Sequence, residues 1–219
     1  MKYLIILLAF GFILLNCSCE EEPELTYQED CIVFCPCPED DSSYQEELDC
    51  TGQTYPDPST SPYIVPFFGE TSFSMGLANC SSSFHGAGRP DQHAYDFDLP
   101  TGTLFLAARG GKVVKVVNDQ PSGGGGVGNY VVVDHDDDTF GLYYHSPENG
   151  IHVSEGDSVR QGQPLGEVGR SGLAGYPHLH FIVVRERYRY PYEGVAVNFN
   201  NIYPLVTVPQ SYTDYTVCP

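Results

Sequence analysis

The chain has 219 residues, with 10 Lys and Arg against 29 Asp and Glu, a formal net charge of −19, and eight Cys, 23 Gly, 17 Pro and no Trp. That length suits one domain of ordinary size with extensions and leaves no room for two full enzymatic domains. A charge this negative, broken by no Lys/Arg cluster, argues against nucleic acid as a partner, and 41% hydrophobic residues with 16 Tyr and 12 Phe argue against disorder throughout. High Gly and Pro beside many Val and Tyr predict short strands and turns, an all-β fold.

Met1-Lys2 followed by the apolar run Tyr3 to Leu15 reads as a secretory signal, too short to cross a bilayer as a stable helix. The stretch Leu14-Leu15-Asn16-Cys17-Ser18-Cys19 resembles a bacterial lipoprotein signal, in which the Cys after the cleavage point takes the lipid. Cys17 has Leu three residues earlier but Asn directly before it; Cys19 has the small Ser18 before it but Asn16 three back. Parity favours Cys19, because cleavage there leaves six further cysteines, an even number that suits an oxidising compartment. This reading makes residues 1–18 a signal peptide and implies an exported protein held to the membrane of a bacterial cell envelope by an N-terminal lipid anchor, facing the periplasm or the surface.

Thirteen of the 29 acidic residues fall between Glu20 and Asp57, a stretch without Lys or Arg, so residues from 58 onward carry 16 acids against nine bases, a charge of −7. Residues 19–61 therefore read as an acidic, Cys/Pro-rich tether. Cys31, Cys35, Cys37 and Cys50 do not have the spacing of paired zinc knuckles, and disulfides suit the compartment better. Six cysteines allow fifteen pairings, and a bridge from Cys80 to Cys218 is one that would staple the C-terminal segment to the domain.

From residue 62 to 205 short β-rich runs alternate with Gly, Asn, Asp and Pro: Leu104 to Ala108, Lys112 to Val117, Asn129 to Asp134, Thr139 to His145, Pro164 to Val168 and His178 to Arg185. These predict a compact antiparallel sandwich or barrel-like domain with Gly-rich loops, followed by a tail over 206–219. Ser122 to Gly126 is a hairpin tip rather than a phosphate cradle, since neither Lys-Ser/Thr nor a helix follows it.

The chemistry concentrates in three places. In Gly175-Tyr-Pro-His178-Leu-His180-Phe181, strand alternation turns His178 and His180 to one face and Leu179 and Phe181 to the apolar layer behind. Upstream, Phe84-His85 and His93-Ala94-Tyr95-Asp96-Phe97 offer imidazole and carboxylate, and with one His of the H-x-H pair they make the N, N, O donor set of catalytic zinc. Third, Tyr143-Tyr144-His145 places a His at a strand end.

These stretches resemble the M23 family of zinc metallopeptidases, the lysostaphin or LytM type that cuts peptide cross-links of peptidoglycan. The resemblance is carried by Phe84-His85, Ala94-Tyr-Asp96-Phe97 through Gly102-Thr103, Ala107-Ala-Arg109-Gly110, Gly128-Asn129-Tyr130, Tyr143-Tyr-His145, Gly156-Asp157, Gly162-Gln163 and Gly169-Arg-Ser-Gly172 through Phe181. They stand in family order over about residues 62–185 and leave the cysteine-rich segment uncovered. The resemblance implies Zn2+ as cofactor, His85, Asp96 and His180 as its ligands, His145 and His178 as the catalytic pair, and a peptidoglycan peptide as substrate. His93 stands only three residues before Asp96, not the commoner four, and on a strand that spacing turns the two apart; His85 is therefore the expected first ligand. Asp98 is the rival carboxylate. Tyr143 is a candidate oxyanion donor, Arg109 and Asn129 are structural or groove-lining, and His93, His135 and His152 are surface or boundary residues. A relative without catalysis that binds cell wall or activates another hydrolase, an endopeptidase for Gly-rich proteins, and a lipoyl-type carrier are the alternatives. The first would have lost ligands, the second is not excluded by sequence, and the third lacks a modifiable Lys at a hairpin tip.

Overall fold

The computed structural model describes residues 54–68, 72–81, 83–203, 205 and 209–217. The signal segment, both candidate lipidation cysteines, the acidic stretch up to residue 53 and Cys218 lie outside the described residues.

The fold is all-β. Among the described residues twelve strands occur: β1 (Ser72–Met75), β2 (Tyr95–Asp98), β3 (Leu104–Leu106), β4 (Gly111–Val117), β5 (Asn129–Asp134), β6 (Thr139–Ser146), β7 (Ser158–Val159), β8 (Pro164–Glu167), β9 (Leu179–Arg185), β10 (Glu193–Gly194), β11 (Ile202–Tyr203) and β12 (Thr213–Val217). Two 3-10 turns, Pro58–Thr60 and Ser83–His85, are the helical elements among those residues. Ten strands form one sheet in the order β11-β12-β1-β2-β9-β6-β5-β4-β7, with β10 paired to β9, and β3 and β8 form a separate ribbon. Neighbouring strands run antiparallel, as short loops between sequential strands require.

β9 is the spine of the sheet. Its sequence Leu-His-Phe-Ile-Val-Val-Arg alternates so that Leu179, Phe181 and Val183 enter the main core and Ile182 and Val184 a smaller cluster on the opposite face. The main core is aromatic: Phe97, Phe105, Phe181, Phe199, Tyr95 and Tyr143 are fully buried. Phe97 meets Phe199 at 5.6 Å between centroids and Tyr143 meets Phe181 at 5.0 Å. Edge-on and tilted pairs of this kind add about 0.5–1.5 kcal/mol each beyond the area they bury.

Two segments at the domain margins belong to the domain. β12 lies within the stretch read from sequence as a tail, yet it pairs with both β1 and β11, and Tyr215 packs on Phe73 at 5.8 Å. Residues 54–61, read as the end of the tether, are tied down as well: the Ser61 hydroxyl donates to the Asn198 carbonyl at 2.6 Å, and the Asn198 amide donates to the Pro56 carbonyl. Both attachments satisfy buried polar groups or bury aromatic surface, neither of which polar composition reveals.

Candidate metal centre

Strand register builds one row of the site. Asp96 on β2 stands opposite His180 on β9, and His180 stands opposite Tyr144 on β6, so the three share a face of the sheet. The Asp96 carboxylate lies 2.8 Å from His180 Nδ1. Behind that row the alternation predicted for the H-x-H segment holds: Leu179 and Phe181 are fully buried in the core.

His85 arrives from the loop between β1 and β2, on the 3-10 turn that opens at Ser83 with φ of 77°. It is 1% exposed, and its Nδ1–H donates to the Ala78 carbonyl at 3.3 Å. A carbonyl only accepts, so Nε2 keeps the lone pair, and Nε2 faces Asp96 Oδ1 at 3.5 Å. One nitrogen each from His85 and His180 and one oxygen of Asp96 lie within 4.8 Å of one another. Two imidazoles and a carboxylate, converging from three separate segments with at least one lone pair already aimed inward, fit a zinc ion with an open fourth position.

His145 reaches the site by a β-bulge. Asn129 pairs with Ser146 and Tyr130 with Tyr144, which leaves His145 as the extra residue of β6, with φ of 76°. Plain alternation would turn its ring to the core beside Tyr143; the bulge swings it to the face of His180, 5.8 Å between centroids. Its Nδ1–H donates to the Ser171 carbonyl at 2.8 Å, and the Ser171 N–H returns a bond to the His145 carbonyl at 3.3 Å. The Ser171 hydroxyl in turn donates to the Ser146 carbonyl at 2.6 Å and accepts from the Asn129 N–H at 2.8 Å. His178 sits just before β9 with its Nδ1–H on the Tyr176 carbonyl at 2.9 Å and its Nε2 3.7 Å from Asp96. The two rings are 4.7 Å apart between centroids, each with Nε2 left as the acceptor.

Electrostatics separates these imidazoles. Burial alone would push the His180 pKa down, but hydrogen bonds and charge from Asp91 and Asp96 outweigh it and raise it to about 10. Burial likewise opposes ionisation of Asp96, yet His180, His85 and His178 hold it down to about 2. His145 goes the other way: burial first, then the neighbouring His180 and His178, lower it to about 3. Without metal the site thus holds an ion pair, Asp96 with protonated His180, beside a neutral His145.

The other residues singled out from sequence fall elsewhere. Asp98 hydrogen-bonds Tyr176 and is not part of the three-residue cluster. Tyr143 is no oxyanion donor: it is fully buried on the core face, and its hydroxyl accepts the Ala108 N–H at 2.8 Å. Its neighbour Tyr144 lies beside the site, 5.5 Å from His180, as does Tyr176, 4.6 Å from His178 between centroids. Arg109 pairs with Asp137 at 2.7 Å and lies over Tyr63, and Asn129 braces Gln120 and Ser146. His93 and His135 are buried rather than at the surface, at 3% and 6% exposure. His93 faces away from Asp96, lining a cavity of about 490 Å³ with Tyr55, Arg185 and Glu193. His152 is half-exposed beside Glu167. Asp91 escaped sequence reading: 89 positions from His180, it belongs to no strand pattern. Cys80 is disulfide-bonded, and its partner lies outside the described residues.

Comparison with known proteins matches this arrangement to a family. The model of peptidase family M23 matches residues 91–198, so His85 lies outside the matched span. The chain is 36% identical over 93 residues to the peptidoglycan DD-endopeptidase ShyA of Vibrio cholerae, covering 42% of this chain and 20% of that protein. It is 35% identical over 94 residues to the uncharacterized lipoprotein YgeR of Escherichia coli, covering 43% of this chain and 34% of that one. The chain thus spans about a fifth of the length of the first relative and about a third of the second. Among solved structures, the catalytic domain of the prophage-encoded M23 protein EnpA of Enterococcus faecalis aligns with a TM-score of 0.47 at 26% identity, covering 61% of this chain and 94% of that one. Residues 91–198 thus form a peptidase family M23 domain.

Proposed function

We propose that this chain is a zinc-dependent endopeptidase that hydrolyses peptide cross-links of bacterial peptidoglycan. The observation that carries the reading is the convergence of His85, Asp96 and His180 beside two imidazoles, His145 and His178, that both keep Nε2 as an acceptor. The description of ShyA as a peptidoglycan DD-endopeptidase supports the substrate class.

His85, Asp96 and His180 would hold the zinc, which supplies Lewis acidity toward a scissile carbonyl and lowers the pKa of an attacking water. His145 and His178 divide the proton work. A neutral imidazole with its Nδ1–H locked on a carbonyl presents a basic Nε2, which takes a proton from the attacking water and delivers it to the leaving amine. The second imidazole, 4.7 Å away between centroids, takes a proton from solvent at Nε2 and donates it as a hydrogen bond that stabilises the developing oxyanion. Because His145 and His178 are both held by backbone carbonyls, neither needs to reorient during turnover.

An N-terminal lipid at Cys19 or Cys17 would hold the enzyme at the envelope, a reading supported by the signal-like sequence and by the lipoprotein relative. The test of function is to incubate the full chain with purified peptidoglycan sacculi, with and without chelator, and to identify released fragments by mass spectrometry. Chelator-sensitive release of peptides cut at a cross-link is the expected result; binding to sacculi without release would overturn the enzymatic reading.

A further inference from the structure

We infer that Asp91 is a positioning residue for His180, holding the ring through Nε2 while Nδ1 faces the metal. This inference rests on the zinc-site reading above.

His180 lies between two carboxylates. Its Nδ1 is 2.8 Å from Asp96 Oδ1, and its Nε2 is 3.7 Å from Asp91 Oδ1. His85 Nε2 approaches the same Asp96 oxygen at 3.5 Å, so the shared Asp96 oxygen marks the side of the His180 ring that turns to the metal. The Nε2 edge points the opposite way, toward Asp91. A ligating imidazole that uses one nitrogen for the metal carries its proton on the other, and a carboxylate there fixes both tautomer and ring orientation.

Asp91 is itself held. The Tyr192 hydroxyl donates to Asp91 Oδ1 at 2.5 Å, and Tyr144 hydrogen-bonds Tyr192. Tyr144 also packs edge-on against the His180 ring at 5.5 Å, closing a loop of contacts around one ligand. The Asp91 carbonyl accepts the Ala94 N–H at 2.9 Å, which anchors its backbone one turn before β2. The Asp91 side chain stays 30% exposed, so its replacement leaves the core untouched.

The experiment measures zinc affinity of the full chain by competition with a chromogenic chelator, comparing wild type, Asp91→Asn, Tyr192→Phe and His180→Ala. Asp91→Asn is expected to bind about one zinc with affinity roughly 10–100-fold weaker, and Tyr192→Phe to fall between it and wild type. Long-range 1H–15N spectra of the zinc-loaded wild type should show His180 metallated at Nδ1 and protonated at Nε2, with faster exchange of that proton in Asp91→Asn. Chelated Asp91→Asn and Tyr192→Phe should keep the wild-type far-UV circular-dichroism spectrum and a single cooperative melt, which separates positioning from a general loss of structure. Unchanged zinc affinity in Asp91→Asn would overturn the inference, as would metallation at Nε2. Loss of zinc as complete as in His180→Ala would make Asp91 a ligand instead. A wild-type protein that takes up no zinc would sink the site reading itself, a failure distinct from wild-type binding that Asp91→Asn leaves intact.

Discussion

Replacing Ser171 by alanine tests whether the bulge at His145 is what arms the site. Ser171 is fully buried, and its hydroxyl bridges the two strands at the bulge: it accepts from the Asn129 N–H at 2.8 Å and donates to the Ser146 carbonyl at 2.6 Å. Removing it orphans one buried backbone N–H, a cost of about 1–3 kcal/mol, whereas the Ser146 carbonyl keeps the Asn129 side-chain amide at 3.0 Å and loses only about 1 kcal/mol. The sum, about 2–4 kcal/mol, corresponds to a fall in Tm of roughly 5–15 °C for a domain of this size. Catalysis should suffer more than stability, because His145 sits at a positive φ that only surrounding contacts enforce, and a shift near 1 Å can cost about 100-fold in rate. The assay is turnover of a labelled cross-linked muropeptide at a temperature well below the new Tm, with zinc content measured in parallel. Zinc should stay bound while kcat drops at least tenfold. If Tm falls by that amount but kcat holds within twofold, the Ser171 hydroxyl braces the fold without aiming His145, and the bulge does not arm the site.

Other outcomes are expected of the same site. His145→Ala should retain zinc and lose turnover; undiminished hydrolysis would remove it from the catalytic pair. His85→Ala should lose most of its zinc while His93→Ala keeps it, because of these two only His85 faces Asp96, and the reverse pattern would undo the ligand assignment. Zinc uptake at pH 7 should release close to one proton, since the ion must displace the one that His180 holds up to a pKa of about 10; calorimetry in buffers of different ionisation enthalpy reads that number directly, and no release would contradict the pairing. In the chelated protein the Asp96–His180 pair stabilises the fold most between about pH 4 and 6.5. Its carboxylate part is lost as pH falls from 3.8 toward about 2, and its imidazolium part as pH rises from 6.5 toward about 10. Replacing both by Asn and Gln should flatten that part of a Tm-against-pH curve; an unchanged profile would show that other groups shape it.

The strands carrying the site were legible because their residues obey one period. Thr139 to His145 and His178 to Arg185 read as strands, and alternation in Leu179-His180-Phe181 divided core from site correctly. The same period misled at the neighbouring strand end. Tyr143 shares a face with Phe181 by register, a fact that belongs to strand pairing and not to either strand alone, and it lies in the core. His145 breaks the period because the bulge opposite Asn129 inserts one residue, and no residue type in Tyr-Tyr-His announces that. β1 and β12 were missed for a different reason. Each is short and half polar, Ser-Phe-Ser-Met and Thr-Asp-Tyr-Thr-Val, and becomes a strand because the other is there to pair with it. Asp91 is invisible for the same kind of reason: its meaning comes from Tyr192 and His180, about a hundred residues downstream.

The strand order also sets a timetable. β2, which bears Asp96, has β1 on one side and β9 on the other, and β1 pairs in turn with β12 at the far end of the chain. A chain made from its N-terminus therefore carries His85 and Asp96 long before the strand that supplies His180, and β2 keeps an open edge until β9 exists. Contacts this distant in sequence close late in folding. The candidate metal cluster is then among the last parts to assemble, so a nascent chain would pass through synthesis without the proposed hydrolytic centre, its chemistry withheld by topology alone.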